Sequence, residues 1–272
     1  MFFWGAIKFV KKNIYKVLNM KTIYYEDELN DEFSEAKIEP RKIDGSYKYE
    51  HKSFLWNFTT FLIQNVVSVP FKFIYAKLKF RIKYVGREKL KPYRKQGYFV
   101  YGNHTQSFAD TFIISNAIFP KRNYIIVNPE NVSMKYLGNF VQKFGAIPIP
   151  NERSGMKNFL ASIKNKIQKG YSVTIFPEAH IWPYYTKIRP FKNVSFKYPI
   201  EYNTPVFCVT NTYQKRGKNK VRITTYIDGP FFQNEYIENI QEKKQDLRDK
   251  IYNKMVERSK ESTYEVIRYE RK

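Results

Sequence analysis

The sequence predicts an α/β domain, a largely parallel central sheet flanked by helices, preceded by an N-terminal amphipathic helical segment. Two observations carry this expectation. From residue 79 onward, short apolar runs of strand character alternate with stretches of helical periodicity, the rhythm of β-α units on a parallel sheet. Residues 1–78 differ in kind, because two apolar-faced stretches without acidic residues enclose an acidic connector. The expected division is residues 1–78 as a helical association segment with its connector, and residues 79–272 as the α/β domain with a closing helix.

The first helix rests on Phe3, Ile7, Val10, Ile14 and Val17 at helical spacing, with Lys8, Lys12 and Lys16 on another face. Such a helix suits an anionic bilayer surface, with its lysines among headgroups. Docking on its own domain is the alternative. Lysines interrupt any signal-peptide core here, and no small-residue cleavage site follows. Residues 26–39 then carry seven acids against one Lys. Ser53–Phe71 runs 19 residues without a charge, nearly enough to cross a hydrocarbon core of about 30 Å at about 1.5 Å per residue. Ser53, Asn57, Thr60, Gln64 and Ser68 nevertheless form one polar stripe, which a lone spanning helix would turn to lipid. A helix lying in the interface, ending near Pro70, fits better than a span or an internally packed helix.

The α/β elements follow in order. "FRIKYVG" alternates like a half-exposed strand, whereas "GYFVYGN" is uniformly apolar like a buried one. "ADTFIISNAIF" reads as helix, "NYIIVN" as strand, "SMKYLGNFVQKF" as helix and "GAIPIP" as a short strand. In "SGMKNFLASIKNKIQKG", Ser154 is the expected N-cap and Gly170 the residue after the C-cap. "YSVTIFPE" and "TPVFCVTNTY" are buried strands, "KVRITTYIDGP" an amphipathic one. Residues 234–262 form a charged helix with Ile237, Ile240, Leu247, Ile251 and Met255 inward.

The net charge of +23 raises nucleic acid and membrane as partners. Residues 70–96 carry ten Lys or Arg against one Glu, yet the acidic block interrupts the basic ones, which a sequence-independent nucleic-acid binder would avoid. One cysteine and three scattered histidines exclude an internal disulfide and a closed zinc site. Cys208, mid-strand, is expected in the core.

His104 falls just past the strand 98–102, at the sheet edge where open α/β folds place their ligands. An imidazole there can take a proton from an alcohol if a carboxylate holds its other nitrogen, and Asp110 in the following helix is the candidate. A helix-dipole role for Asp110 and a loop hydrogen bond for His104 compete with that reading. Asn103 beside it and Glu178, at the end of an apolar strand, are candidates for substrate contact. His180 could position substrate or cap a turn. Arg153, Lys187, Arg189 and Lys192 could form an anion site with the dipole of the helix starting near Ser154, although each singly is more often a surface charge. No G-x-S-x-G elbow occurs, which argues against a Ser hydrolase.

"GNHTQSFAD", "GAIPIPNER", "FPEAHIWP" and "TPVFCV" occur in that order, each at a strand end. As a set over residues 97–212 they resemble the four blocks of the lysophosphatidic acid acyltransferase (glycerolipid acyltransferase) family. The resemblance implies a membrane-associated enzyme moving an acyl group from a thioester, acyl-CoA or acyl carrier protein, to a lysophospholipid hydroxyl. His104 would be the general base and Asp110 its orienting partner. Lysophosphatidic acid giving phosphatidic acid is the expected reaction; another lysolipid or a glycolipid, or a non-catalytic membrane-surface protein of this fold, is the alternative. No metal or cofactor beyond the co-substrate is implied, and the expected place is peripheral or monotopic on the cytoplasmic face of the cell membrane.

The blocks depart from the pattern. Five residues, not four, separate His104 from Asp110, so the loop must bulge by one. Asn151 stands where an Arg usually grips phosphate, with Arg153 nearby, and Ala179, His180 and Ile181 replace Gly-Thr-Arg. "RPFKN" keeps Arg189 and Lys192 close to that second gap.

Overall fold

The computed structural model describes residues 21–33, 38–67, 73, 80–134, 138–217 and 220–272. The helix expected over residues 1–18 lies outside them. A seven-stranded sheet organises the rest: β2 (Lys83–Val85), β3 (Tyr98–Gly102), β4 (Asn123–Val127), β5 (Ala146–Pro148), β6 (Ser172–Ile175), β7 (Val206–Arg216) and β8 (Lys220–Phe231). Their order is β2-β8-β7-β3-β6-β4-β5. Five run parallel; β8 turns back antiparallel on β7 and carries β2 with it. The expectation of a largely parallel sheet flanked by helices is met.

Alternation along the central strands explains the layers. On β3, Phe99 and Tyr101 point to one face; on β7, Val206 and Cys208 do the same. That face packs against α5 (Met156–Gln168) through Phe159, Ile163 and Ile167, and against α6 (Ile240–Ser259) through Leu247, Ile251 and Met255. Tyr98, Val100, Phe207 and Val209 point to the other face, under Ile114 and Ala117 of α2 (Ser107–Ala117). A strand covered on both sides has no polar face to show, which is why β3 reads as a continuous apolar run.

Several boundaries moved. The helix expected over 133–144 is two short ones, α3 (Pro129–Ser133) and α4 (Gly138–Lys143). Ser154 does not cap α5; its Oγ accepts from Gly45 N–H at 3.3 Å, while Gly170 ends the helix at φ 76° as expected. The last helix begins at Ile240, capped by the Asn239 side chain, and Ile240 itself is exposed.

The acidic connector is not a tether. β1 (Lys21–Tyr25) pairs in parallel with β9 (Ile267–Arg271), clipping two distant parts of the chain together. Further on, Ile43 is fully buried, its N–H bonded to Asn151 Oδ1 at 2.8 Å, and Tyr49 OH donates to Pro148 O at 2.9 Å.

In the stretch expected to lie in an interface, α1 (Phe54–Leu62) is followed by a wider turn, Ile63–Val67. Part of its polar side meets the domain: Thr60 is buried and Thr59 Oγ1 accepts from Lys143 Nζ at 2.8 Å, while Ser53 and Asn57 stay exposed. Its apolar side faces out, with Phe54 82% and Leu55 68% exposed and Phe58 and Phe61 beside them. Among the described residues, no helix is long and apolar enough to cross a membrane.

Candidate active site

β3 delivers its last residue, Gly102, into a narrow gap. A Cβ there would meet Ile114 Cδ1 at 2.7 Å and the Phe176 ring at 3.1 Å. The next turn therefore starts tight against α2, and His104 emerges from it with its ring stacked on Phe176 at 4.3 Å. His104 Nδ1 lies 2.9 Å from Asp110 Oδ2. The same oxygen accepts the Thr105 and Gln106 N–H groups, each at 2.8 Å. Asn211 Nδ2 donates to Asp110 Oδ1 at 3.0 Å. The extra residue between His104 and Asp110 is absorbed in this turn, and the carboxylate sits at the positive end of α2.

Asp110 is fully buried, and burial pushes its carboxyl above the ordinary value, against the pull of His104 and the two backbone donors. With an acceptor on Nδ1, that nitrogen carries the proton and Nε2 is left as the basic one. The His104 side chain is 14% exposed, enough for Nε2 to meet a hydroxyl.

The neighbouring candidates turn inward. Asn103 accepts from Asn211 N–H at 2.8 Å and donates to Asn211 O at 3.1 Å, tying the end of β3 to the middle of β7. Glu178, expected to contact substrate, instead spends both oxygens on the chain: Oε2 accepts His104 N–H at 3.0 Å and Oε1 accepts Arg189 N–H at 3.1 Å. Burial raises its carboxyl, opposed by the Arg189 charge 3.8 Å away. It shapes the His104 turn rather than a ligand.

Arg189 is corrected in the same way. It is fully buried, stacked 4.9 Å from the Trp182 ring, and donates to the carbonyls of Glu28 (3.1 Å), Glu178 (3.1 Å) and His180. A guanidinium so enclosed cannot grip a surface-delivered phosphate. His180 Nδ1 faces Glu32 Oε2 at 2.9 Å, and Glu32 Oε1 accepts Ile181 N–H at 3.3 Å. Trp182 Nε1 donates to Asp31 O at 2.8 Å, and Trp182 N–H to His104 O at 3.2 Å. The acidic segment thus straps the third block directly beside the His104 turn. Asn151, at the other gap, holds the Arg41 and Ile43 backbone. Arg153, Lys187 and Lys192 remain exposed. Arg153 follows β5, three strand positions from β3, about 14 Å at about 4.8 Å per strand.

Residues 81–211 match the sequence model of a family described as Acyltransferase. Over that stretch, just under half of its length, the chain carries an acyltransferase-family domain. Among solved structures, it is similar to the 1-acyl-sn-glycerophosphate (LPA) acyltransferase PlsC from Thermotoga maritima, at a TM-score of 0.52 and 15% identity, covering 77% of this chain and 89% of that one. At that identity the likeness is one of fold. No curated protein matches the chain significantly. With that domain and this fold, the protein is an O-acyltransferase, similar to the 1-acylglycerol-3-phosphate acyltransferases.

Sequence reasoning missed five contributors. Asn211 bonds to both Asn103 and Asp110, and the polar residue closing the apolar run "TPVFCVT" was its signal. Phe176 supports the imidazole, and its place in the "FPE" block pointed there. Glu28, Asp31 and Glu32 had no local signal, because their role depends on a long-range fold-back.

Proposed function

We propose that this acyltransferase moves a fatty acyl group from a thioester donor, acyl-CoA or acyl carrier protein, to the free hydroxyl of a lysophospholipid at a membrane surface. What carries the reading is the dyad: Nδ1 of His104 is held 2.9 Å from buried Asp110, and the imidazole stays 14% exposed just past the end of β3. In the step envisaged, Nε2 takes the acceptor hydroxyl's proton as its oxygen attacks the thioester carbonyl. Asp110 stabilises the imidazolium that forms. The tetrahedral adduct then loses the thiolate, which recovers the proton from Nε2, and no acyl-enzyme is needed.

Membrane attachment is part of the proposal. The outward aromatic face of α1 and the Phe73–Phe119 pair, 5.6 Å between centroids, suit a peripheral seat on the cytoplasmic face. Lysophosphatidic acid is the first acceptor to test, with the phosphate left to Arg153, Lys187 or Lys192. The burial of Arg189 and the carboxylate of Glu32 beside the site favour a second reading, an acceptor without a phosphomonoester, such as a zwitterionic lysolipid or a glycolipid. The test is an acyl-transfer assay on vesicles with each lysolipid and each donor, read by mass spectrometry. Wild type should acylate at least one lysolipid and His104→Ala none; transfer by His104→Ala at the wild-type rate would overturn the assignment.

A further inference from the structure

A cavity lies at the opposite edge of the sheet from His104. It encloses about 130 Å³ between the foot of α1, residues 49–51 and the segments that enter β4 and β6. The length of β4 separates it from the catalytic edge, about 17 Å for five residues. Three of its lining side chains bear buried polar atoms without a hydrogen-bond partner: His51 Nε2, Thr60 Oγ1 and Arg122 Nε. Such orphans are uncommon and each costs stability unless something satisfies it. All three can donate. Lys166 and Lys169 line the same space, and the one acid of the lining, Glu50, is taken up by Lys166. Arg122 and Lys169 are left as uncompensated positive charges.

Several donors around excess positive charge in a space with room for several waters match one tetrahedral oxyanion. The supports are rigid. The His51 ring stacks on Trp56 at 3.8 Å, and the Arg122 guanidinium lies over Tyr124 at 5.0 Å and Tyr171 at 5.5 Å. We propose that this cavity is a phosphoryl-group site distinct from the active site, in which His51, Thr60, Arg122 and Lys169 hold the oxygens. Because the helix above it turns Phe54 and Leu55 outward, the group can belong to an anionic lipid headgroup or to free phosphate. The shared chemistry is a phosphate group with unesterified, negatively charged oxygens.

The full-length chain titrated with inorganic phosphate at constant ionic strength tests this. Binding should be saturable, and Arg122→Gln and Lys169→Gln should each weaken it about tenfold or more. Lys169 is exposed, so its variant remains informative if the Arg122 variant folds poorly. Thr60→Val should weaken phosphate binding while leaving the ligand-free melting temperature equal or higher, since its hydroxyl has no partner to lose. Phosphatidylcholine vesicles doped with phosphatidic acid or with phosphatidylglycerol identify the source. A preference for phosphatidic acid that vanishes in Arg122→Gln assigns a lipid headgroup; phosphate binding without that preference assigns free phosphate. No phosphate binding by the wild type, or equal binding by all three variants, overturns the site.

Discussion

The first and third sequence blocks meet at one turn, yet they treat their polar atoms in opposite ways. At the first, Asp110 gathers donors from His104, Thr105, Gln106 and Asn211, and the result is one nitrogen, His104 Nε2, kept for chemistry. At the third, Glu178, Arg189 and His180 are consumed by the chain itself, two of them fully enclosed with segment 28–32 laid across them. One region is built to act on a substrate and the other to hold its shape. Charge alone does not tell them apart; what matters is whether a partner from the same chain already occupies the group.

The sharpest test of that contrast is His104→Ala. It should cost about 10²- to 10⁴-fold in transfer rate, or about 2.7–5.5 kcal/mol of barrier, with an unchanged melting temperature. Arg189→Ala should behave in the opposite way. Breaking a buried ion pair typically costs about 3–5 kcal/mol, so urea unfolding should show a large loss; a stable variant with only a raised KM would mean Arg189 grips substrate after all. Asp110→Asn joins both classes: about 1–3 kcal/mol of stability should go with the mismatched donors, and turnover should fall further through the wrong imidazole tautomer. Glu32→Gln removes a half-exposed carboxylate, worth about 1 kcal/mol or less in unfolding, but it should raise the use of lysophosphatidic acid relative to lysophosphatidylcholine. Arg153→Ala should do least, with stability unchanged and the KM for lysophosphatidic acid raised at most about fivefold, as for an exposed charge.

What was legible follows the range of the interaction. β3, β6 and β7 could be read because both faces are covered, and apolar runs say so locally. His104 and Asp110 were legible because six positions and one helix start bring them together. Lys21–Tyr25 was given no strand from the sequence, since its partner Ile267–Arg271 lies at the far end of the chain and no period announces a parallel clip. Arg189 and Glu178 read as ligand contacts for the same reason: sequence shows a charge at a strand end, whereas burial by a distant segment decides its use. In α1 the polar stripe was visible, but which side met protein was settled only by Lys143 and the cavity beneath Thr60.

The parallel clip has a bearing on timing. Tyr269 stacks on Trp182 at 5.0 Å between centroids, and its hydroxyl donates to Pro183 O at 2.9 Å. The loop beside His104 therefore leans on a strand translated long after the dyad has left the ribosome. A nascent chain can fold β3 through β6 early, as segments nearer the N-terminus generally do. The catalytic loop can be tied to the acidic segment and the His104 turn early, but its contacts with Tyr269 are added only when β9 is made, so the order of synthesis leaves this last brace to the end.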